Sequence, residues 1–265
     1  MAIRYRLRAD LSVVRRPDAT VQVGLDVTDQ VLLPDAPDGA APLIRSLRAG
    51  ATLADLERAR GAVPLAWLRR AVASLATAGL LVPDGRAGPA PPVIVGDGLL
   101  ADAVASAAGV AAIPASAWSP EAHPGRLVVL CPGAVEVDRV AARELARAGR
   151  PHLVVRAEPE RAVVGPFVIP GAACVACTDL VRRDLDPGWP HVLIQLCRTR
   201  HSPARAWAAW AAGTALAQAT AWSSGTLPDT VGGTLELSCA DGVLGARRWP
   251  VRPDCLSHPA EELAA

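Results

Sequence analysis

Two short stretches in the last hundred positions have the spacing of metal ligands. Cys174-Val175-Ala176-Cys177 follows a Pro170-Gly171 turn and leads into a helical segment, so both sulfurs can reach one ion. Cys255-Leu256-Ser257-His258 repeats the two-residue gap. Tetrahedral zinc takes four such donors, and Cys174, Cys177, Cys255 and His258 are the expected set. The other cysteines read as core thiols. Cys131 ends an apolar run, Cys197 follows Leu196 in an apolar segment, and Cys239 is in phase with Leu235 and Leu237 on a strand. A redox Cys-x-x-Cys is the rival reading, but it calls for a helix start directly behind a strand rather than a turn. No general base accompanies the four residues, so the ion is expected to brace structure rather than activate water.

A second motif is Gly96-Asp97-Gly98, which follows an apolar strand and opens a helix. Backbone N–H groups at such a place can face phosphates, although the signal alone is weak. The next strand ends in Ile113-Pro114-Ala115-Ser116 and offers no acidic ribose partner. Asp97 sets a carboxylate where a phosphate would lie. Gly96 and Gly98 are therefore read as a degenerate loop kept for packing, with no nucleotide cofactor and no catalytic residue assigned. The sequence contains no lysine, which excludes a Walker-type phosphate lysine, a Schiff base and a lysine general base.

The elements that must position these groups fall into two domains. Residues 1–85 begin with strand-like alternation: Ile3, Tyr5 and Leu7, then Val21, Val23 and Leu25, then Val31-Leu32-Leu33 before Pro34. Three helices follow. The first covers 41–47; Thr52 caps the second with Asp55 at the capping-box position; Pro64 opens the third, which carries Leu65, Leu68, Val72 and Leu75. Leu80-Leu81-Val82 returns as a wing strand, giving a winged-helix pattern. A Gly/Ala/Pro linker over 85–92 marks the boundary. The second domain, 92–265, opens as a parallel βαβ series with strands at 93–95, 110–113, 127–130 and 152–155 and helices at 99–108 and 135–148. Helices near 174–184 and 203–222 follow. A hairpin then joins 234–239 to 243–249 across Ala240-Asp241-Gly242.

Composition narrows the function classes. A hydrophobic fraction of 51% supports a sizeable core, and a net charge of +1 gives no field to draw nucleic acid or an anionic membrane. The Ala-rich stretch 204–222 contains Arg205 and Gln218 and reads as a buried helix, not a membrane span. The first residues show no signal-peptide run, so a cytoplasmic, reducing location is expected, where six cysteines serve as ligands or core.

The run Val164-Gly165-Pro166-Phe167-Val168-Ile169-Pro170-Gly171, with Cys174-Val175-Ala176-Cys177 and Arg182-Arg183-Asp184-Leu185-Asp186-Pro187-Gly188-Trp189-Pro190, resembles a known family. It is that of the bacteriocin-biosynthesis cyclodehydratase-domain and leader-peptide-binding proteins of thiazole/oxazole-modified microcin systems, in the ThiF, ubiquitin-activating-like superfamily. Arg247 to Cys255 resembles the family's terminal zinc knuckle. The resemblance implies an α/β chain: an N-terminal winged-helix peptide clamp, then a truncated Rossmann-like ThiF-type domain with a C-terminal zinc module. It implies zinc on Cys174, Cys177 and Cys255. The implied role is a non-catalytic scaffold that binds a precursor's leader peptide and presents it to a cyclodehydratase-type partner, with a homodimer expected from relatives. The leader would add to an edge strand at Val31, Leu32 and Leu33, opposite Leu68 and Val72 of the third helix. Two alternatives stand beside it: an ATP-dependent adenylating enzyme, and a winged-helix zinc regulator of transcription for which the third helix offers only Arg69 and Arg70.

Overall fold

The computed structural model describes residues 4–8, 11–26, 30–83 and 90–257, and the chain divides into two compact units, Met1–Gly88 and Pro89–Ala265. In the first, strands β1 (Arg4–Leu7), β2 (Val13–Arg15), β3 (Val21–Val23) and β4 (Val31–Leu33) precede helix α1 (Ala40–Ser46). Strand β5 (Ala51–Thr52), helices α2 (Leu53–Ala59) and α3 (Leu65–Thr77) and strand β6 (Leu81–Pro83) complete it. They form two antiparallel three-stranded sheets, β2-β3-β4 and β5-β1-β6. Alternation explains β3: Val21 and Val23 are fully buried, while Gln22 between them is not. Thr52 opens α2 with a reciprocal cap. Its Oγ1 accepts from the Asp55 N–H at 3.1 Å, and its own N–H donates to the Asp55 carboxylate at 3.0 Å. Helix α3 buries Trp67, Leu68, Ala71 and Leu75 at helical spacing, and the segment expected as a wing pairs with β1 as β6. The sequence pattern did not mark β2 or β5, whose few residues are too short to show a period.

The second unit contains β7 (Val93–Gly96), α4 (Leu99–Ala107), β8 (Ala112–Ile113), β9 (Val128–Cys131), α5 (Arg139–Arg147), β10 (His152–Ala157) and β11 (Arg161–Val168). Helices α6 (Val175–Leu185), α7 (Trp189–Leu196) and α8 (Arg205–Ser223) and strands β12 (Gly233–Ser238) and β13 (Leu244–Arg248) follow. Seven strands form one mixed sheet in the order β13-β12-β11-β10-β9-β7-β8. The half from β8 to β10 is parallel, as expected, and β11 to β13 run antiparallel. One face buries Ile94, Val129, Leu153 and Val164 beneath α4 and α8; the other buries Val93, Val95, Val128 and Val154 with Leu145 of α5 and Val175 of α6. Strand β11 was not expected, because Gly165-Pro166 in its middle argues against a central strand. Helix α5 starts later than the expected 135, since the Asp138 carboxylate accepts from the Val140 N–H at 2.7 Å and caps it there. Helix α8 lays Ala208, Ala211, Ala212, Ala215 and Ala219 on the sheet, and no helix of the described residues is long and apolar enough to cross a membrane.

Candidate metal centre and peptide groove

The chain brings Cys174, Cys177 and Cys255 together from positions 81 residues apart. Their sulfurs lie within 4.8 Å of one another, and the three residues are 2%, 0% and 3% exposed. Cys174 caps the N-terminus of α6 and Cys177 sits in its first turn, where the helix dipole favours negative sulfur. Cys255 comes from a turn whose N–H bonds back to the Arg252 carbonyl at 3.0 Å. That turn is tied to the other end of α6 by Arg252 with Asp184 at 2.7 Å and Arg183 with Asp254 at 3.4 Å. Val168, Ala173 and Trp249 close the apolar shell.

The sulfur geometry can be tested against a cation. Cys174 Sγ lies 3.9 Å from Cys177 Sγ and 3.6 Å from Cys255 Sγ. Ligands on a tetrahedral ion with Zn–S near 2.3 Å stand about 3.8 Å apart, so the observed spacings bracket the value. The Arg252 N–H also points at Cys177 Sγ at 3.4 Å, the kind of contact that stabilises a metal-bound thiolate. Without a cation, the Cys174 thiol is pushed well up, first by its hydrogen bonds to Cys177 and Cys255 and then by burial. The cluster can hold a metal ion. His258, the expected fourth donor, lies outside the described residues. Cys131, Cys197 and Cys239 are not part of the cluster. Cys131 is fully buried at the end of β9, whereas Cys197 and Cys239 are half-buried rather than core thiols. Cys239 follows the last residue of β12, where its N–H bonds the Glu160 carbonyl at 2.8 Å.

Helix α6 is held from its flank by a buried ion network. Arg139 of α5 makes a two-pronged bond to Asp179 at 2.7 and 2.9 Å and reaches Glu136 at 2.9 Å. Burial would raise the Glu136 carboxyl, but Arg156, Arg139 and Arg182 together bring it down to about 2.

The glycine loop occupies the end of β7 and the start of α4, beside β9. A Cβ on Gly96 would stand 1.7 Å from the Cys131 carbonyl oxygen, so the close approach of two backbones demands glycine there. Gly98, at φ +85°, caps α4 in a conformation other residues disfavour. A cavity of about 320 Å³ lies at this point, lined by Asp97, Gly98, Pro132, Gly133, Arg200 and His201. The strand order reverses between β7 and β9, which is where α/β sheets bind ligands.

In the first unit, β4 is an outer strand of its sheet. Leu32 is 47% exposed, Val31 is partly buried and Leu33 is in the core. Between β4 and α3 lies a cavity of about 220 Å³ lined by Leu32, Leu33, Pro34, Trp67, Arg70 and Ser74, among others. The Trp67 indole N–H donates to the Pro34 carbonyl at 2.8 Å and fixes that wall. The helix side differs from the expectation. Leu68 is fully buried in the core and Val72 packs against it, because both point inward from α3. Trp67, Arg70, Ala71 and Ser74 face the cavity instead. Helical phase was read correctly as amphipathic, but the choice between two adjacent stripes needed the position of β4.

No protein-family model and no curated protein sequence matches the chain. Among solved structures it is similar to the heterocyclase TruD, with a TM-score of 0.64 and 17% identity over 96% of this chain and 42% of that one. A heterocyclase in complex with substrate and cofactor matches with a TM-score of 0.68 and 15% identity, over 97% and 39%. Escherichia coli MccB with ATP matches with a TM-score of 0.54 and 9% identity, over 97% and 100%. The chain thus spans about two fifths of the heterocyclase chains and the whole of MccB. At these identities the likeness is one of fold alone.

Proposed function

We propose that the chain is a zinc-braced, non-catalytic scaffold that holds the leader of a ribosomally made precursor peptide and presents it to a cyclodehydratase-type partner. The observation that carries this reading is the open edge of β4 beside the α3 cavity. An unpaired edge leaves main-chain donors and acceptors free, so a leader can add as a further strand while side-chain pockets set preference. The first unit then works as a winged-helix clamp, with Val31, Leu32 and Leu33 on one wall and α3 on the other. Fold neighbours solved with substrate, or with MccA, support a peptide-handling role. Zinc on Cys174, Cys177 and Cys255 would fix α6 to the terminal turn and supply cross-linking rather than reaction chemistry.

The test is fluorescence anisotropy of a labelled precursor leader with the full chain, the leader taken from a short gene beside this one. Leu32→Glu puts a charge on an exposed edge position and Ser74→Arg fills the cavity; each should weaken binding by roughly tenfold, about 1.4 kcal/mol, with folding intact. Unchanged affinity in both variants would remove the groove from the reading. The cavity at the β7/β9 switch point favours a second reading, an adenylating enzyme. With Asp97 in the loop and no lysine, no melting shift is expected with millimolar magnesium-ATP; a rise of several degrees would favour the enzyme.

A further inference from the structure

The run from Arg182 to Pro190 that carries the resemblance covers the end of α6, a turn at Asp186-Pro187-Gly188 and the start of α7. Helix α7 is apolar except at His191 and Gln195, yet none of its residues is buried. Leu185 is 80% exposed, Ile194 55% and Val192 40%. Trp189, Val192 and Leu196 recur at i, i+3 and i+7, so they form one stripe along the helix. A helix this apolar that its own unit leaves uncovered marks an interaction surface.

Charge indicates what the surface meets. The stripe borders a cavity of about 440 Å³, whose walls include Leu185, Trp189 and Leu196. Its lining carries five carboxylates against three arginines, Arg161, Arg182 and Arg247, so the cavity is negative. Arg182 holds Glu136 at 2.9 Å, and Arg161 holds Glu158 at 2.9 Å and Glu236 at 3.0 Å. The other two carboxylates, of Glu160 and Asp186, are exposed and form no ion pair among the described residues. That of Asp186 accepts from the Gly188 N–H at 2.9 Å. An opening with this surplus suits a cationic side chain.

The same segment supplies one. Just beyond α7, Arg198 is exposed, forms no ion pair among the described residues, and is not part of the cavity lining of its own chain. Arg200, two residues on, bridges Ala134 and lines the smaller cavity at the glycine loop. Asp186 therefore stands before α7 and Arg198 after it, an acid and a base at opposite ends of one apolar helix. Two copies of α7 packed antiparallel about a two-fold axis would lay stripe on stripe and bring each Asp186 to the other copy's Arg198. Parallel packing would set like charges together, and a partner of another kind would need no such match at both ends.

We propose that α7 is the interface between two copies of this chain, packed antiparallel, with Arg198 of each copy closing the acidic mouth of the other's cavity beside Asp186. No residue of the β4 groove takes part, so the leader reading and this interface stand or fall separately. The run from Leu185 to Arg198 is shorter than the roughly 20 residues a side of a standard interface, so a dimer with a Kd of about 10 µM is expected. Sedimentation velocity of the full chain at roughly 100 µM, well above that Kd, should show a dimer that dissociates on dilution and at high salt. Arg198→Glu sets a carboxylate against Asp186 and should weaken the dimer about a hundredfold, since the contact occurs twice. Its melting temperature in dilute protein should not change, because the side chain is exposed and unpaired there. Asp186→Arg should weaken the dimer likewise, by opposing two arginines. Mixed in equal amounts, the two variants should pair again, because each contact then joins an arginine to a carboxylate. A monomeric wild type at that concentration would overturn the proposal, and α7 would then be left to a different protein. A dimer that survives Arg198→Glu, or two variants that stay monomeric when mixed, would overturn it as well.

Discussion

The sulfur cluster and the β4 groove are built in opposite ways. The cluster is closed: three side chains at most 3% exposed, gathered from positions 81 residues apart and useful only for what their sulfurs bind. The groove is open, with Leu32 47% exposed and the main chain of an outer strand as its main resource. A closed site is expected to couple its ligand to folding, whereas an open edge can change affinity with little effect on stability.

The largest expected effect breaks the closed site. Cys174→Ser should abolish stoichiometric zinc in the purified protein and cost about 4 kcal/mol or more of stability. Full metal occupancy in that variant, measured by elemental analysis, would end the metal assignment. Acid sharpens the contrast through a second buried group of the same unit. His152 is fully buried, its Nδ1–H donates to the Arg150 carbonyl at 2.9 Å, and Nε2 has no partner. Burial lowers its pKa from 6.5 to about 4. Because the folded value is depressed, the neutral ring's contribution is complete above pH 6.5 and is lost as pH falls toward 4, about 3 kcal/mol in all. Urea midpoints measured from pH 7 to 5 should fall in the wild type and fall less in His152→Gln; parallel curves would reject the assignment.

Smaller effects are expected in the first unit. Thr52→Ala removes the side-chain half of the α2 cap, the Oγ1 that accepts from the Asp55 N–H, and should cost about 1 kcal/mol, read as a lower melting temperature with leader affinity kept. A loss of leader affinity at unchanged stability would mean that α2 helps shape the groove. Smallest of all, Cys239→Ser should keep its zinc and change stability by less than about 0.5 kcal/mol, since Cys239 is half-buried beyond the end of β12. Zinc loss there would place a fourth donor on the hairpin and displace His258 from the expected set.

Much of the second unit is legible in residue order, since strand–loop–helix units announce themselves by local period. Strands β7, β9 and β10 fall close to their expected positions, as does the hairpin across Asp241-Gly242. Strand β11 does not, because its Gly165-Pro166 imitates a turn while neighbouring strands on both sides hold it in the sheet. Spacing singles out three cysteines of the six, Cys174 with Cys177 and Cys255 with its two-residue gap to His258, and the fold brings those three sulfurs together. Which face of α3 meets the groove, that Gly96 is pressed against the Cys131 carbonyl, and that Arg182 and Arg247 share a cavity were decided only by tertiary structure. Residue type and period are local properties and survive in the sequence. Which edge is left unpaired, and which distant side chains meet, depend on strand order, which no local signal encodes.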